Sequence, residues 1–215
     1  FLFRQVQNKP YKIPSILFAA HSHKLPPVME EQEVFNVIST IKNVKHKTLI
    51  ILLYSTGMRV SEITNLKLID IDSKLMRIKI INGKGKKDRF VPLSPLVLDQ
   101  LRTYYLYYKP VNYLFNGYRT ASKYSVRSIQ VILQKTLAKI GLGGKNYTVH
   151  TLRHSFATHL VDNGADLQVV QEMMGHSHLS QTTQYLHLSS KRLNQIMNPF
   201  DAMISHINKK PDQTP

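Results

Sequence analysis

Apolar side chains recur at helical spacing along most of this chain and at strand spacing in one short stretch. Glu30, Glu31 and Glu33 precede an apolar-periodic segment, as acids do where the positive end of a helix dipole is exposed. Thr48 to Ser55 is largely apolar and stops at Gly57, which reads as a buried helix, and Arg59 to Leu66 reads as a second, shorter one. Between residues 75 and 92 the period changes to two. Met76, Ile78 and Ile80 alternate with Arg77 and Lys79, Asn82-Gly83 supplies a hairpin turn, and Arg89-Phe90-Val91-Pro92 forms the return strand. Helical spacing resumes at Pro95. Val126, Ile129, Leu133, Leu137 and Ile140 make one stripe, ended by Gly141. A helix over 150–163 is closed by Gly164, and shorter helices are expected near 167–174, 179–187 and 190–197. The pattern predicts a mainly α fold with one small antiparallel β-sheet, an α+β domain.

Punctuation along the chain divides it. Residues 1–9 read as the end of a helix, and the opening Phe-Leu-Phe without an initiator Met is expected of a piece of something longer. Residues 10–27 hold Pro10, Pro14, Pro26 and Pro27 and read as an extended linker. The main domain is expected over 28–200, followed by a tail, 201–215, that turns polar from Lys209. The 215 residues suffice for one sizeable core. With no cysteine, disulfides, thiolate metal sites and a Cys nucleophile are excluded. The opening lacks the pattern of a signal peptide, and the apolar run Leu49–Leu53 is far too short to span a membrane. A cytoplasmic protein without a membrane partner is the expectation.

Charge changes the picture more than composition does. Lys and Arg number 29 against 13 Asp and Glu, a net of +16, and from Gln100 to Val161 there are nine basic residues and no acid. Such a surface favours a polyanion, because each phosphate it neutralises releases condensed counterions. A basic amphipathic helix with aromatic anchors, the mark of a membrane surface, is missing.

The chemistry concentrates late in the chain. His150-Thr-Leu-Arg153-His is followed by Met174-Gly-His176-Ser-His and then by Gln184-Tyr185-Leu-His, while Arg59 follows the glycine turn Thr56-Gly57-Met58 far upstream. Breaking a phosphodiester takes a nucleophile, an acid for the leaving oxygen and positive charge on the non-bridging oxygens. Arginine clamps phosphate with a planar pair of donors. A tyrosine hydroxyl, with an ordinary pKa of about 10, needs a nearby cation and a proton acceptor, and histidine can serve. His150 and Arg153 are three apart and point the same way from a helix, with Leu152, Phe156 and Leu160 on a neighbouring anchoring face. Plainer readings exist for each residue. Arg59 and Glu62 could form a local ion pair. His150 and His154 are spaced as a metal pair but lack a His-Glu-x-x-His pattern and a third ligand, so no metal is expected. His154, His159 and His178 read as bystanders, and Tyr104, Tyr105, Tyr107 and Tyr108 as packing along a helix.

These segments resemble the motifs of the tyrosine recombinases, or phage-type integrases. His150-Thr-Leu-Arg153-His-Ser-Phe-Ala-Thr-His-Leu resembles their His-x-x-Arg box. Gly175-His176-Ser, nine residues before Tyr185, resembles the second box and nucleophile. Thr56-Gly-Met-Arg59-Val-Ser-Glu62 resembles the first arginine box, and Gly83-Lys84-Gly-Lys-Lys-Asp-Arg89 the hairpin lysine. The four come in family order over residues 24–200, in a style similar to Xer and integron recombinases. The resemblance implies that Arg59 and Arg153 clamp the scissile phosphate, that His150 accepts the tyrosine proton and that His176 adds a hydrogen bond. It also implies that Lys84 protonates the leaving 5′ oxygen, that Tyr185 forms a 3′-phosphotyrosine link and that Glu62 buttresses the site. Lys86 and Lys87 share the turn with Lys84. Met174 stands where leucine is usual, and Leu186 where threonine is common. No cofactor and no metal is implied, and residues 1–9 are implied to be the remnant of the family's N-terminal helical DNA-binding domain. The partners implied are double-stranded DNA and, for strand exchange, a homo-tetramer on it, in a bacterial cytoplasm at the nucleoid; the apolar side chains of residues 198–208 suggest a tail swapped onto a neighbouring protomer. Two other functions compete with recombination: a type IB topoisomerase with the same chemistry, and a non-cutting helix-turn-helix protein built on 167–187.

Overall fold

The computed structural model describes residues 26–81, 88–117, 122–176, 178 and 180–188. The segments expected at 1–25, the hairpin tip with Asn82, Gly83 and Lys84, the helix at 190–197 and the tail lie outside the described residues.

Eight helices and a three-stranded sheet make up the described fold: α1 (Glu31–Thr40), α2 (Val44–Thr56), α3 (Val60–Asn65), β1 (Ile71–Asp72), β2 (Arg77–Ile80), β3 (Arg89–Pro92), α4 (Pro95–Tyr108), α5 (Val126–Lys139), α6 (Val149–Asp162), α7 (Leu167–Met174) and α8 (Ser180–Leu188). Single 3-10 turns span Leu68–Asp70 and Gly143–Lys145. The mainly helical α+β class follows the apolar spacing. The helix ends follow local chemistry. Asn43 caps α2 by accepting from the His46 amide, and so starts that helix at Val44 rather than at Thr48 as its apolar run suggests. Ser94 caps α4, with Pro95 at its first position. Thr148 and Thr151 cap α6 reciprocally, and Asp166 caps α7.

The sheet is antiparallel in the order β1-β2-β3, with Ile78 opposite Val91 and Ile80 opposite Arg89. Ile78, Ile80 and Val91 face the core and Phe90 faces solvent, which places Arg89 on the inward side of its strand. β1 is an addition to the expected hairpin; at two residues it is too short to carry a period.

The main core gathers Leu49, Ile50, Leu52 and Leu53 of α2 with Ile129 and Leu133 of α5, Leu98 and Leu101 of α4 and the inner face of the sheet. A second, smaller cluster joins Phe156, Ala157 and Val161 of α6 to Val170 and Met174 of α7 and to Tyr185 of α8. Each fully buried aliphatic side chain contributes about 1.5–3 kcal/mol of transfer free energy. The α6 helix is the seam between the clusters: Val149 and Leu152 belong to the first, Phe156 and Val161 to the second. The expected division into one polar and one apolar face therefore needs correction, because α6 is buried on nearly every side. His150 is exposed while Arg153, one turn on, is 6% exposed.

Candidate active site

The carboxyl end of α7 organises the site. Gly175 adopts a left-handed conformation with φ +60°, which turns the chain so that its own amide reaches the Glu172 carbonyl and the His176 amide reaches Gln171. The next three carbonyls in sequence each accept from a different arginine. Arg89 Nε donates to Met173 at 2.9 Å, Arg153 Nη2 to Met174 at 2.5 Å, and Arg59 Nη2 to Gly175 at 3.4 Å. A helix carboxyl end carries partial negative charge and unpaired carbonyls, so three cations can gather there with less mutual repulsion than in a neutral pocket. Arg153 also donates through Nη1 to the carbonyl of Gly57, the left-handed cap of α2. One guanidinium thus ties the ends of two helices.

Glu62 supplies the rest of the counter-charge. It accepts from Arg59 Nη1 at 2.9 Å and from the Arg59 amide at 2.7 Å. Arg89 meets it with a two-pronged pair, Nη1 at 2.9 Å and Nη2 at 2.8 Å. Burial pushes the Glu62 carboxyl upward. The hydrogen bonds from Arg89 and from the Arg59 amide, with the charges of both arginines, outweigh that push and hold it down to about 2. Burial, then the charge of Arg59, draws the Arg153 guanidinium down to about 10, so it stays cationic at neutral pH.

The histidines divide. His176 stacks its ring on Tyr185, centroids 6.1 Å apart and planes within 15°. Its Nε2 lies 3.3 Å from Arg153 Nη2 and its Nδ1 3.0 Å from Thr182 Oγ1. A guanidinium only donates, so Nε2 accepts and the ring proton sits on Nδ1, donating to Thr182. His154 Nδ1 lies 3.2 Å from the Tyr185 hydroxyl. Burial, then His150 and Arg153, lowers His154 to about 4, which leaves it neutral. Among the described residues no hydrogen bond joins His150 to Tyr185. His159 is packed inside, hydrogen-bonded to the Tyr54 hydroxyl at 2.8 Å.

Tyr185 is 1% exposed, packed in the second apolar cluster. Burial raises its phenol above the ordinary value, opposed by Arg153 and Arg59. Arg59, Glu62, Arg153, His176 and Tyr185 thus converge from distant parts of the sequence, with His150 at the exposed start of the same helix; Lys84 lies outside the described residues. Arg89 and Thr182 escaped sequence reasoning, and His154, expected as a bystander, instead meets the Tyr185 hydroxyl. Arg89 had a signal, a charge alternating in phase with the inward-facing Val91, since a charge on a buried face requires a partner. Among the described residues no group of three or more His, Asp or Glu side chains is placed to hold a metal ion. Among the same residues, no helix is long and apolar enough to cross a membrane.

A cleft of about 660 Å³ opens at the other end of α2, between the α1–α2 junction and α5, lined by Lys42, His46, Arg127, Lys135 and Lys139. A second, of about 440 Å³, is lined by Lys67, Lys79 and Lys123 and reaches Glu62.

Comparison with known proteins agrees with this geometry. Residues 27–192 match the Phage integrase family. The tyrosine recombinase XerD of Staphylococcus saprophyticus is 38% identical over 203 residues, covering 88% of this chain and 68% of its own length. The tyrosine recombinase XerA of Pyrococcus horikoshii is 37% identical over 174 residues, covering 80% of this chain and 60% of its own. Among solved structures, the XerA recombinase superposes with a TM-score of 0.69 at 27% identity, over 87% of this chain and 66% of that one. The XerH site-specific recombinase in a post-cleavage complex with its palindromic difH substrate gives 0.71 at 27% identity, over 80% and 52%. By the family match, the identity to these relatives and the shared fold, this chain belongs to the phage integrase family and is a tyrosine recombinase.

Proposed function

We propose that this chain cuts and rejoins DNA at specific sites through a covalent bond between Tyr185 and a 3′ phosphate. The observation that carries the reading is the meeting of Arg59, Arg153, His176 and Tyr185 at the carboxyl end of α7. A helix-turn-helix repressor would leave that meeting without purpose. It would also need a free recognition surface on α8, where Thr182 and Tyr185 are buried.

In the proposed reaction Arg59 and Arg153 hold the non-bridging oxygens, and His176, whose Nε2 takes up a proton as Arg153 turns from it to the phosphate, adds a donor as charge builds on them. The Tyr185 oxygen attacks phosphorus, its proton passing to His150, and the 5′ oxygen leaves with a proton from Lys84. One phosphoester bond forms as one breaks, so the energy of the DNA bond is kept in the protein–DNA ester and a 5′ hydroxyl can reverse the step. Glu62 and Arg89 hold Arg59 in place. The two basic clefts carry the duplex on either side. The 13 residues of α2 separate the outer cleft from the Gly57 turn by roughly 20 Å at the helical rise, a distance within one turn of B-DNA. Exchange between two duplexes calls for four protomers, and the reaction belongs where the DNA is, at a bacterial nucleoid.

A duplex nicked beside the cleavage point, which traps the intermediate, tests the reading. The expected result is a protein–DNA adduct that survives denaturation, forms in the presence of EDTA and is absent in Tyr185→Phe. An adduct that persists in Tyr185→Phe, or that requires added magnesium, would overturn it.

A further inference from the structure

Tyr185 is closed off from solvent in the described structure. Its hydroxyl is enclosed, its ring lies flat against His176, and across the helix interface it meets His154 at hydrogen-bond distance. His154 sits four residues after His150 and therefore on the same face of α6, one helical turn of about 5.4 Å further along. The rings of His154 and Tyr185 are 5.9 Å apart and tilted by 47°, so the contact is made through the hydroxyl and not through stacked faces. We infer that His154 is a positioning residue that keeps Tyr185 withdrawn, its Nδ1 accepting the hydrogen bond of the phenol until the site is loaded with DNA.

The direction of the bond follows from acidity. Burial and the neighbouring charge of Arg153 keep His154 neutral, with one bare ring nitrogen. The phenol is the stronger acid of the two and donates. The groups that face His154 are His150 and Arg153 from its own helix and Tyr185 from α8. When a phosphate engages Arg153 and His150, the phenol has to travel along α6 by one turn, from His154 to His150, to reach the place from which it reacts. Holding the nucleophile against His154 keeps it desolvated and un-ionised, and so inert toward phosphates that are not seated between the arginines. The inference rests on Tyr185 being the nucleophile, but the position of its side chain can be read in the free protein.

The test measures nitration of Tyr185 by tetranitromethane in the absence of DNA, followed by peptide mass spectrometry. Tyr107, 74% exposed, is the internal standard for reagent access, and Tyr104, buried in the main core, reports loss of fold. His154→Leu keeps an apolar side chain of similar bulk and removes the acceptor. His154→Asn keeps an oxygen near the place of Nδ1. The expected result is nitration of Tyr185 roughly fivefold faster in His154→Leu, the factor that one net hydrogen bond supplies, and close to the wild-type rate in His154→Asn. Equal rates in the wild type and His154→Leu would overturn the inference. So would an equal rise in His154→Leu and His154→Asn, which marks a packing role only. Should Tyr104 of His154→Leu react as well, His154→Phe takes its place under the same two outcomes. Adduct formation by the wild type on the nicked duplex is scored separately, so a failure of the recombinase reading is told apart from a failure of the His154 contact.

Discussion

Arg89 shows how far a single side chain reaches in this site. It spans from strand β3 to Glu62 on α3 and to the end of α7, satisfying a buried carboxylate and a helix carbonyl at once. Removing it leaves Glu62 buried with Arg59 alone. Arg89→Leu is expected to cost roughly 3–5 kcal/mol, the penalty for breaking a buried ion pair from one side. The pH dependence gives the loss a signature. Glu62 has a depressed pKa in the fold, so its contribution to stability is complete above the ordinary carboxylate value of 4.5 and is lost as pH falls toward about 2. Without Arg89 the folded value rises back toward the ordinary one, so the stability lost on acidification shrinks. Thermal melts of the wild type and Arg89→Leu between pH 7 and pH 3 check both parts. A variant that melts like the wild type throughout would remove Arg89 from the support of the site.

The element on which the site turns is the left-handed end of α7. A Cβ added to Gly175 would stand 3.0–3.1 Å from three atoms of the Arg89 side chain, in a backbone conformation with φ +60°. Gly175→Ala is expected to destabilise the fold by about 1–2 kcal/mol from the backbone alone. It should also slow adduct formation on the nicked duplex, because the same turn sets His176 and the carbonyls of residues 173–175. Adduct formation at the wild-type rate would show that the turn does not set the site. The helices themselves were legible in the sequence, because apolar spacing and caps such as Ser94 and Asp166 are local properties. β1 was not, since two residues carry no period. Nor could spacing say which of His150 and His154 meets α8: both lie on one face of α6, and the choice is made by how α8 docks. Arg89 was readable as an inward charge, but its partner lies 27 residues away and is reached only in the folded chain. For the same reason, the sequence marked Arg59 and Arg153 by motif and left unseen the three consecutive carbonyls that hold the arginines together.

At the scale of the whole molecule, the +16 charge is not spread evenly around the catalytic cluster. Lys42, Arg127, Lys135 and Lys139 line one cleft, and Lys67, Lys79 and Lys123 another that reaches Glu62. The arginines of the site are largely occupied by carbonyls and by Glu62, so they add little to long-range attraction before DNA arrives. The clefts are left to supply it. If the outer cleft is a track for phosphates, its lysines neutralise backbone charge whatever the base sequence, and each one lost should lower the slope of log K against log salt by about 0.9. Lys135→Ala with Lys139→Ala is therefore expected to weaken binding to target and unrelated duplexes alike. The salt slope should fall by roughly two, while the adduct still forms once DNA is saturating. A titration by fluorescence anisotropy at several salt concentrations measures the slope directly. An unchanged slope would place the duplex elsewhere on the surface, and a loss of adduct at saturation would tie these lysines to the chemistry, which their distance along α2 from the Gly57 turn argues against.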